Sequence, residues 1–298
     1  MKKIVAIILL SAGIISAQSA TSSGLSSMKF GFGARNIAMG DLGVVTANDV
    51  SALNYNPALL TRNPNAEISF THNSSVQDLR SEMLGAKFRF LGLPMAVGLN
   101  TTSIDDIEVR TRPGDAESKF NANFFWGSLS TGFHLTKNIS AGLSAKYIYE
   151  GLFTEEAMGI GFDFGAYYED VIPNLGLGIS VRNIGSMNKL RTESTKLPSE
   201  LNTGIKYYFA LDNFNSKLII AAGYKKYLED EFDHFSGGIE WIFRDMIALR
   251  TGYISGFDTK SITAGLGLMW NGFVFDYAYV PYEFDFGSSN TISIKYIF

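Results

Sequence analysis

From Ala66 to Phe298 the chain alternates apolar and polar positions almost without a break. In its last stretch Ile292, Ile294, Tyr296 and Phe298 fall on one side, while Thr291, Ser293 and Lys295 share the other with Ile297. Successive side chains of a strand point to opposite faces, so such a stretch is a strand with one oily face and one mostly polar face. About fourteen segments follow this rule: 66–76, 81–90, 93–103, 119–135, 138–150, 156–169, 174–183, 200–210, 216–227, 232–243, 245–254, 260–270, 271–280 and 288–298. Most approach the roughly 9–11 residues that a tilted strand needs to cross a bilayer, against roughly 5–6 for an ordinary strand.

The joints carry a second pattern. Every second one is short: Leu91-Gly92, Thr136-Lys137, the Pro173 turn, Leu211 to Asn215, Arg244-Asp245 and Asn271-Gly272. Joints between them include the longer 104–118, 184–199 and 281–287. Short turns at one rim and longer loops at the other are the signature of an up-and-down barrel in an outer membrane. The faces agree: Met158, Ile160, Phe162, Phe164 and Tyr168 oppose Gly159, Gly161, Asp163 and Gly165, and Phe273, Phe275, Tyr277 and Tyr279 form another aromatic row. No helical segment is present to cover such rows, so lipid is their partner. Lys146, Asp163, Arg182, Glu240, Arg250 and Lys295 lie on the opposite face, where a wet lumen or a polar plug spares them the cost of burial. The expected fold is an all-β transmembrane antiparallel barrel of about fourteen strands over 66–298, preceded by a leader and plug over 18–65.

Residues 28–60 are the least strand-like part. Gly31, Gly33, Gly40 and Gly43 interrupt any long element, Asn48 and Asp49 can cap a short helix from Val50 to Leu53, and Asn56-Pro57 can start another through Leu60. Two short helices on glycine joints, set before the strands, predict a plug. Asn56 and Pro57 are expected to fix its second helix to the wall, and Arg35 to pair with luminal Asp163 or Glu240. Further upstream, Lys2 and Lys3, the apolar run Ile4 to Ile15, and Ser16-Ala17 form the order of a secretory signal peptide, 1–17, with Ala20 an alternative cleavage site. That run is too short for a membrane helix of about 20 residues.

Composition narrows the chemistry. There is no cysteine, hence no disulfide framework and no lipid-anchor cysteine. Without Lys2 and Lys3, 25 − 2 = 23 basic residues face 29 acidic ones, a net charge of −6 that argues against nucleic acid. His72, His134 and His234 sit on separate segments without ligand spacing, so no metal or cofactor is expected. The acidic loop between Asp105 and Glu117 lacks the ordered spacing of a calcium loop, and Gly31-Phe32-Gly33 lacks the third glycine and the βαβ frame of a dinucleotide site. Nothing places a nucleophile beside His134, so an enzyme is not expected.

The order of these features resembles the FadL superfamily of outer-membrane barrels, and more narrowly the PorV/PorQ family. The likeness is carried by Gly33-Ala34-Arg35-Asn36-Ile37-Ala38-Met39-Gly40 and by Asp49-Val50-Ser51-Ala52-Leu53-Asn54-Tyr55-Asn56-Pro57-Ala58-Leu59-Leu60. Further blocks are Ser144 to Glu150, Phe162 to Tyr167, Leu177 to Gly185 and Leu197-Pro198. Leu59 after Asn-Pro-Ala is nearer the PorQ-like form. This resemblance implies a plugged fourteen-stranded barrel in the outer membrane of a Gram-negative-type envelope. It implies a part in type IX protein secretion, with cargo domains and a translocon as partners. The alternative is a FadL-like passive channel for hydrophobic solutes, and a purely structural barrel is a third reading. Tyr296 and Phe298 resemble the terminal signal read by the barrel-assembly machinery, and outer-membrane lipid is the remaining expected partner.

Overall fold

The computed structural model describes residues 25–229 and 232–298; the expected signal peptide and most of the leader lie outside the described residues. Fourteen antiparallel strands close into a barrel. They are β1 (Glu67–Ser74), β2 (Leu79–Phe90), β3 (Leu93–Val109), β4 (Ser118–His134), β5 (Ile139–Leu152), β6 (Glu155–Tyr168) and β7 (Leu175–Met187), followed by β8 (Glu200–Leu211), β9 (Ser216–Tyr227), β10 (Asp233–Phe243), β11 (Ile247–Ile254), β12 (Ile262–Trp270), β13 (Phe273–Pro281) and β14 (Ser288–Ile297). Closure is made by β1 on β14, in register from Glu67 opposite Ile297 to Ser74 opposite Asn290. Every strand edge is therefore paired, as a wall in hydrocarbon requires.

Tight turns mark one rim: Leu91-Gly92 and Asn271-Gly272 leave two residues between strands and Arg244 to Met246 three, beside joints at 135–138, 169–174 and 212–215. Arg244 and Asp245 both have φ 53°, and Asn271 and Gly272 have φ 47° and 83°, the paired left-handed geometry that matches strand twist. The opposite rim departs from the predicted alternation at one joint: β5 and β6 are connected there by Phe153-Thr154 alone. These strands run on past the bilayer before turning, so height is gained in strand rather than loop. The same happens in β3, predicted to end at residue 103. It continues to Val109 across a register shift between Ile104 and Ile107, where Asp106 takes φ 57°. β7 likewise runs to Met187, beyond its predicted end at residue 183. The barrel thus stands tallest from β3 to β7.

Aromatic and aliphatic side chains face outward as the alternation requires. Near the turn rim, Tyr207 lies 4.6 Å from Phe209, and Phe273 lies 4.7 Å from Tyr296. Near the loop rim, Tyr224 lies 5.2 Å from Phe235. Aromatic pairs towards both rims are what a barrel with a lipid-facing band between interfacial girdles requires.

The interior is filled. Residues 25–62 cross the lumen from loop rim to turn rim as α1 (Ala34–Ala38), α2 (Gly43–Thr46), α3 (Ala52–Tyr55) and a 3-10 segment, Pro57–Arg62. The sequence missed α1 and α2, each begun after glycine or leucine with no side-chain cap, and placed α3 two residues early. From β2 to β12 every strand turns a glycine toward this segment, from Gly85 under Val50 to Gly265 under Ala38. A Cβ at Gly132 would stand 2.9 Å from the Pro57 carbonyl oxygen. Many of the 30 glycines therefore let the plug backbone lie directly on the wall.

Candidate functional site

The lumen has two unlike halves. Along β7 to β14 the plug is held by charge. Arg35 reaches Glu240 with two nitrogens, at 2.8 and 2.6 Å, and donates to the Thr46 carbonyl at 2.6 Å. Glu240 also accepts from Arg250 at 2.7 Å, and Arg250 bonds Asp276 at 2.7 Å. Asp41 accepts from Lys225 and from the Tyr55 hydroxyl, each at 2.5 Å. Asp49 accepts from Lys295 at 2.6 Å and from the Ser51 amide at 3.0 Å. Burial alone would raise the Asp49 carboxyl, but Lys295 and the Ser51 hydroxyl together hold it well below the usual carboxylate range. Asp41 is lowered in the same way, burial being outweighed by Lys225 and Tyr55. Arg182 completes the set, bonded to Glu200 and, at 3.0 Å, to Asn54 of the plug.

Of the residues singled out from the sequence, Arg35 and Glu240 meet, whereas Asp163 lies elsewhere. Asp163 pairs with Lys146 at 2.7 Å and accepts from the Asn183 amide at 2.8 Å, at a bulge where Arg182 and Asn183 together oppose it. Asn56 accepts from the Ala58 amide at 3.1 Å and donates to Val44 at 3.0 Å and to wall residue Ala166 at 3.1 Å. Pro57 lies over Gly142. Tyr296 is half-buried on the outer face 5.0 Å from Phe298, whose amide donates to Ala66 at 3.0 Å. Asp41 and Lys225 were missed, and Asp49 was read only as a helix cap, without its bond to Lys295. Only the inward parity of Lys225 pointed to a role, since a cation on the luminal row needs a partner.

Along β3 to β7 the plug is packed by an apolar cluster as well, set among buried polar groups such as Lys146, Asp163 and Ser144. One contiguous cluster joins Met187, Leu197, Ala157, Ile148, Trp126 and Phe32, and continues to Leu53, Leu59 and Leu60 near the turn rim. Phe32 of the plug meets Trp126 edge to face, centroids 5.1 Å apart, midway down this column. At its top Leu190 packs on the same cluster and also lines an open basin of about 760 Å³. Val109, Phe120, Leu152 and Phe153 form the basin's apolar wall, and Glu155, Arg191 and Glu193 its polar rim. By contrast, a cavity between the plug and β1, β2 and β14 holds only about 20 Å³, room for a water molecule.

A closed fourteen-strand wall with an oily exterior and a plugged lumen defines a β-barrel of the outer-membrane type. No protein-family profile and no curated protein matches the chain. Solved structures do match. CymD, a monoaromatic hydrocarbon channel, superposes with a TM-score of 0.61 at 13% identity, covering 93% of this chain and 99% of its own. The Pseudomonas putida toluene transporter TodX superposes at 0.62 with 13% identity, over 90% and 98% of the two chains. At that identity the likeness establishes the fold. Neither structure lends support to the secretion role that the PorV/PorQ-like blocks implied.

Proposed function

We propose that the chain is a passive, FadL-like outer-membrane channel for hydrophobic small molecules, with its loop rim facing outward, and not an enzyme. The observation that carries this reading is the apolar column itself. It runs between plug and wall, built from both, from an open basin at the loop rim to Leu59 and Leu60 of the plug near the turn rim. Burial of apolar surface is a non-directional driving force of about 25 cal/mol per Å², so an oily solute gains in the basin without needing a dedicated polar site. Phe32 on Trp126 closes the column, and passage requires the plug's leading segment to shift. That the named neighbours are hydrocarbon channels agrees with this reading.

Secretion of the PorV/PorQ kind stays as the second reading. It draws on the filled lumen and on exposed aromatic tips at the loop rim, Phe153, Phe284 and Phe286. Docking through those tips gives no reason for a buried apolar column that reaches the far rim.

The test is uptake of radiolabelled toluene by intact cells whose lipopolysaccharide slows direct entry. Cells making the chain should take up more than vector controls, and Leu190→Glu, placing a charge at the top of the column, should return uptake to the control level. Equal uptake with and without the chain would reject the channel. A change in secreted-protein yield on replacing Phe284 and Phe286 by serine would then favour the second reading.

A further inference from the structure

We infer that the basin and column admit uncharged hydrophobic molecules and turn away those bearing a carboxylate, an inference that rests on the channel reading above. A carboxylate leaving water for an apolar passage needs a free cation or a set of donors to replace its hydration. The two cations set over Trp126 and Tyr55 in the column are already committed, while Arg62 and Lys206 stand apart from them, over the ring of Tyr167. Lys146 lies 2.7 Å from Asp163 and 2.9 Å from the Asn183 side-chain oxygen, and it stands over Trp126 at 5.8 Å. Arg182 is bonded to Glu200 and Asn54. Each pair is neutral as a unit, and recruiting its cation would strand a buried carboxylate of the wall.

The mouth adds a repulsive element. Glu155 and Glu193 line the basin against one cation, Arg191, and Glu150, on the same luminal row as Leu152, is buried and accepts from Thr195 at 2.7 Å. An entering anion therefore meets net negative charge at the mouth and, beside Trp126 and Tyr55, cations that are already spent. An alkane or arene of similar size can pack on the faces of Val109, Phe120, Leu152, Phe153 and Leu190 and has no charge for the rim to repel. Discrimination built from repulsion and unmet polar need is the general means by which a greasy site rejects a near-isostere.

The test compares uptake of octane and octanoate, matched in chain length, at pH 7.5, where a carboxylic acid of ordinary pKa near 4.5 is ionised. Intact cells making the chain are measured against vector controls. Octane uptake above control should exceed that of octanoate by about tenfold or more. In the double variant Glu155→Lys/Glu193→Lys, shown to be folded by its heat-modifiable migration, octanoate uptake should rise severalfold. Octanoate uptake equal to or above octane in the unaltered chain overturns the inference while leaving the channel standing. A folded double variant that takes up no more octanoate overturns the electrostatic origin argued here. Neither solute entering above control overturns the channel reading, and the inference with it.

Discussion

Gly142→Val is expected to unseat the lower end of the plug. A Cβ at this position would fall on the Pro57 carbonyl carbon and the Ala58 nitrogen, far inside van der Waals contact. Both are backbone atoms, so no rotamer relieves the clash. Nor can the segment retreat, because Asn56 ties it to Val44 and to Ala166 while Thr61 bonds Ser140 at 2.9 Å. Overpacking a close-packed site costs about 1–3 kcal/mol where side chains can yield, and the upper end applies where backbone must move. The thermal midpoint of the purified barrel should fall accordingly, and cells carrying the variant should become sensitive to antibiotics too large for an intact outer membrane. Gly237→Ala is the control: the position opens on free space and should behave as the unaltered chain does. A Gly142→Val barrel with the native midpoint and no leak would show that the plug does not rest on the wall as described.

Arg35→Ala carries the other large effect. Both partners of the Arg35 and Glu240 pair are nearly out of solvent, with side-chain exposures of 11% and 0%. Removing one member of such a pair leaves the other charge buried and partly unmet, at a cost of about 3–5 kcal/mol. Arg250 softens this by remaining on Glu240. Arg35→Lys should not restore stability fully, because an ammonium cannot reproduce the two-pronged contact of the guanidinium. The double variant Arg35→Ala/Glu240→Ala should be less damaged than the sum of the two single changes, since Arg250 keeps Asp276 at 2.7 Å. Denaturant midpoints for the four proteins of this cycle measure the coupling. Strict additivity would mean that the pair does not hold the plug.

Much of the wall was legible because a period of two is hard to imitate over long stretches, and because Arg244-Asp245 and Asn271-Gly272 can hardly be anything but hairpins. What could not be read is height. Asp105 and Asp106 look like loop residues, yet β3 carries them upward through a bulge, since a strand standing clear of the bilayer pairs equally well with polar side chains. Within the lumen, parity showed that Asp163 and Glu240 both point inward, but two inward acids are equivalent until azimuth and depth are known. Four- and five-residue helices such as α1 and α2 hold too few turns to leave a periodicity. The apolar column was hidden for another reason. Phe32, Trp126, Ile148 and Leu197 come from four distant stretches, Phe32 from the plug, Leu197 from the loop before β8, and Trp126 and Ile148 from luminal rows that also carry serines or charges. Only closure of the barrel around the plug brings the four together.

The central claim is that this lumen is filled, so that whatever crosses it travels along an oily seam rather than through water. Planar-bilayer recording of the purified full-length chain tests that most directly. The expected trace shows a quiet membrane without long-lived ohmic steps after insertion of folded barrel. Stable, stepwise ion conductance of the porin kind from the unaltered chain would contradict it.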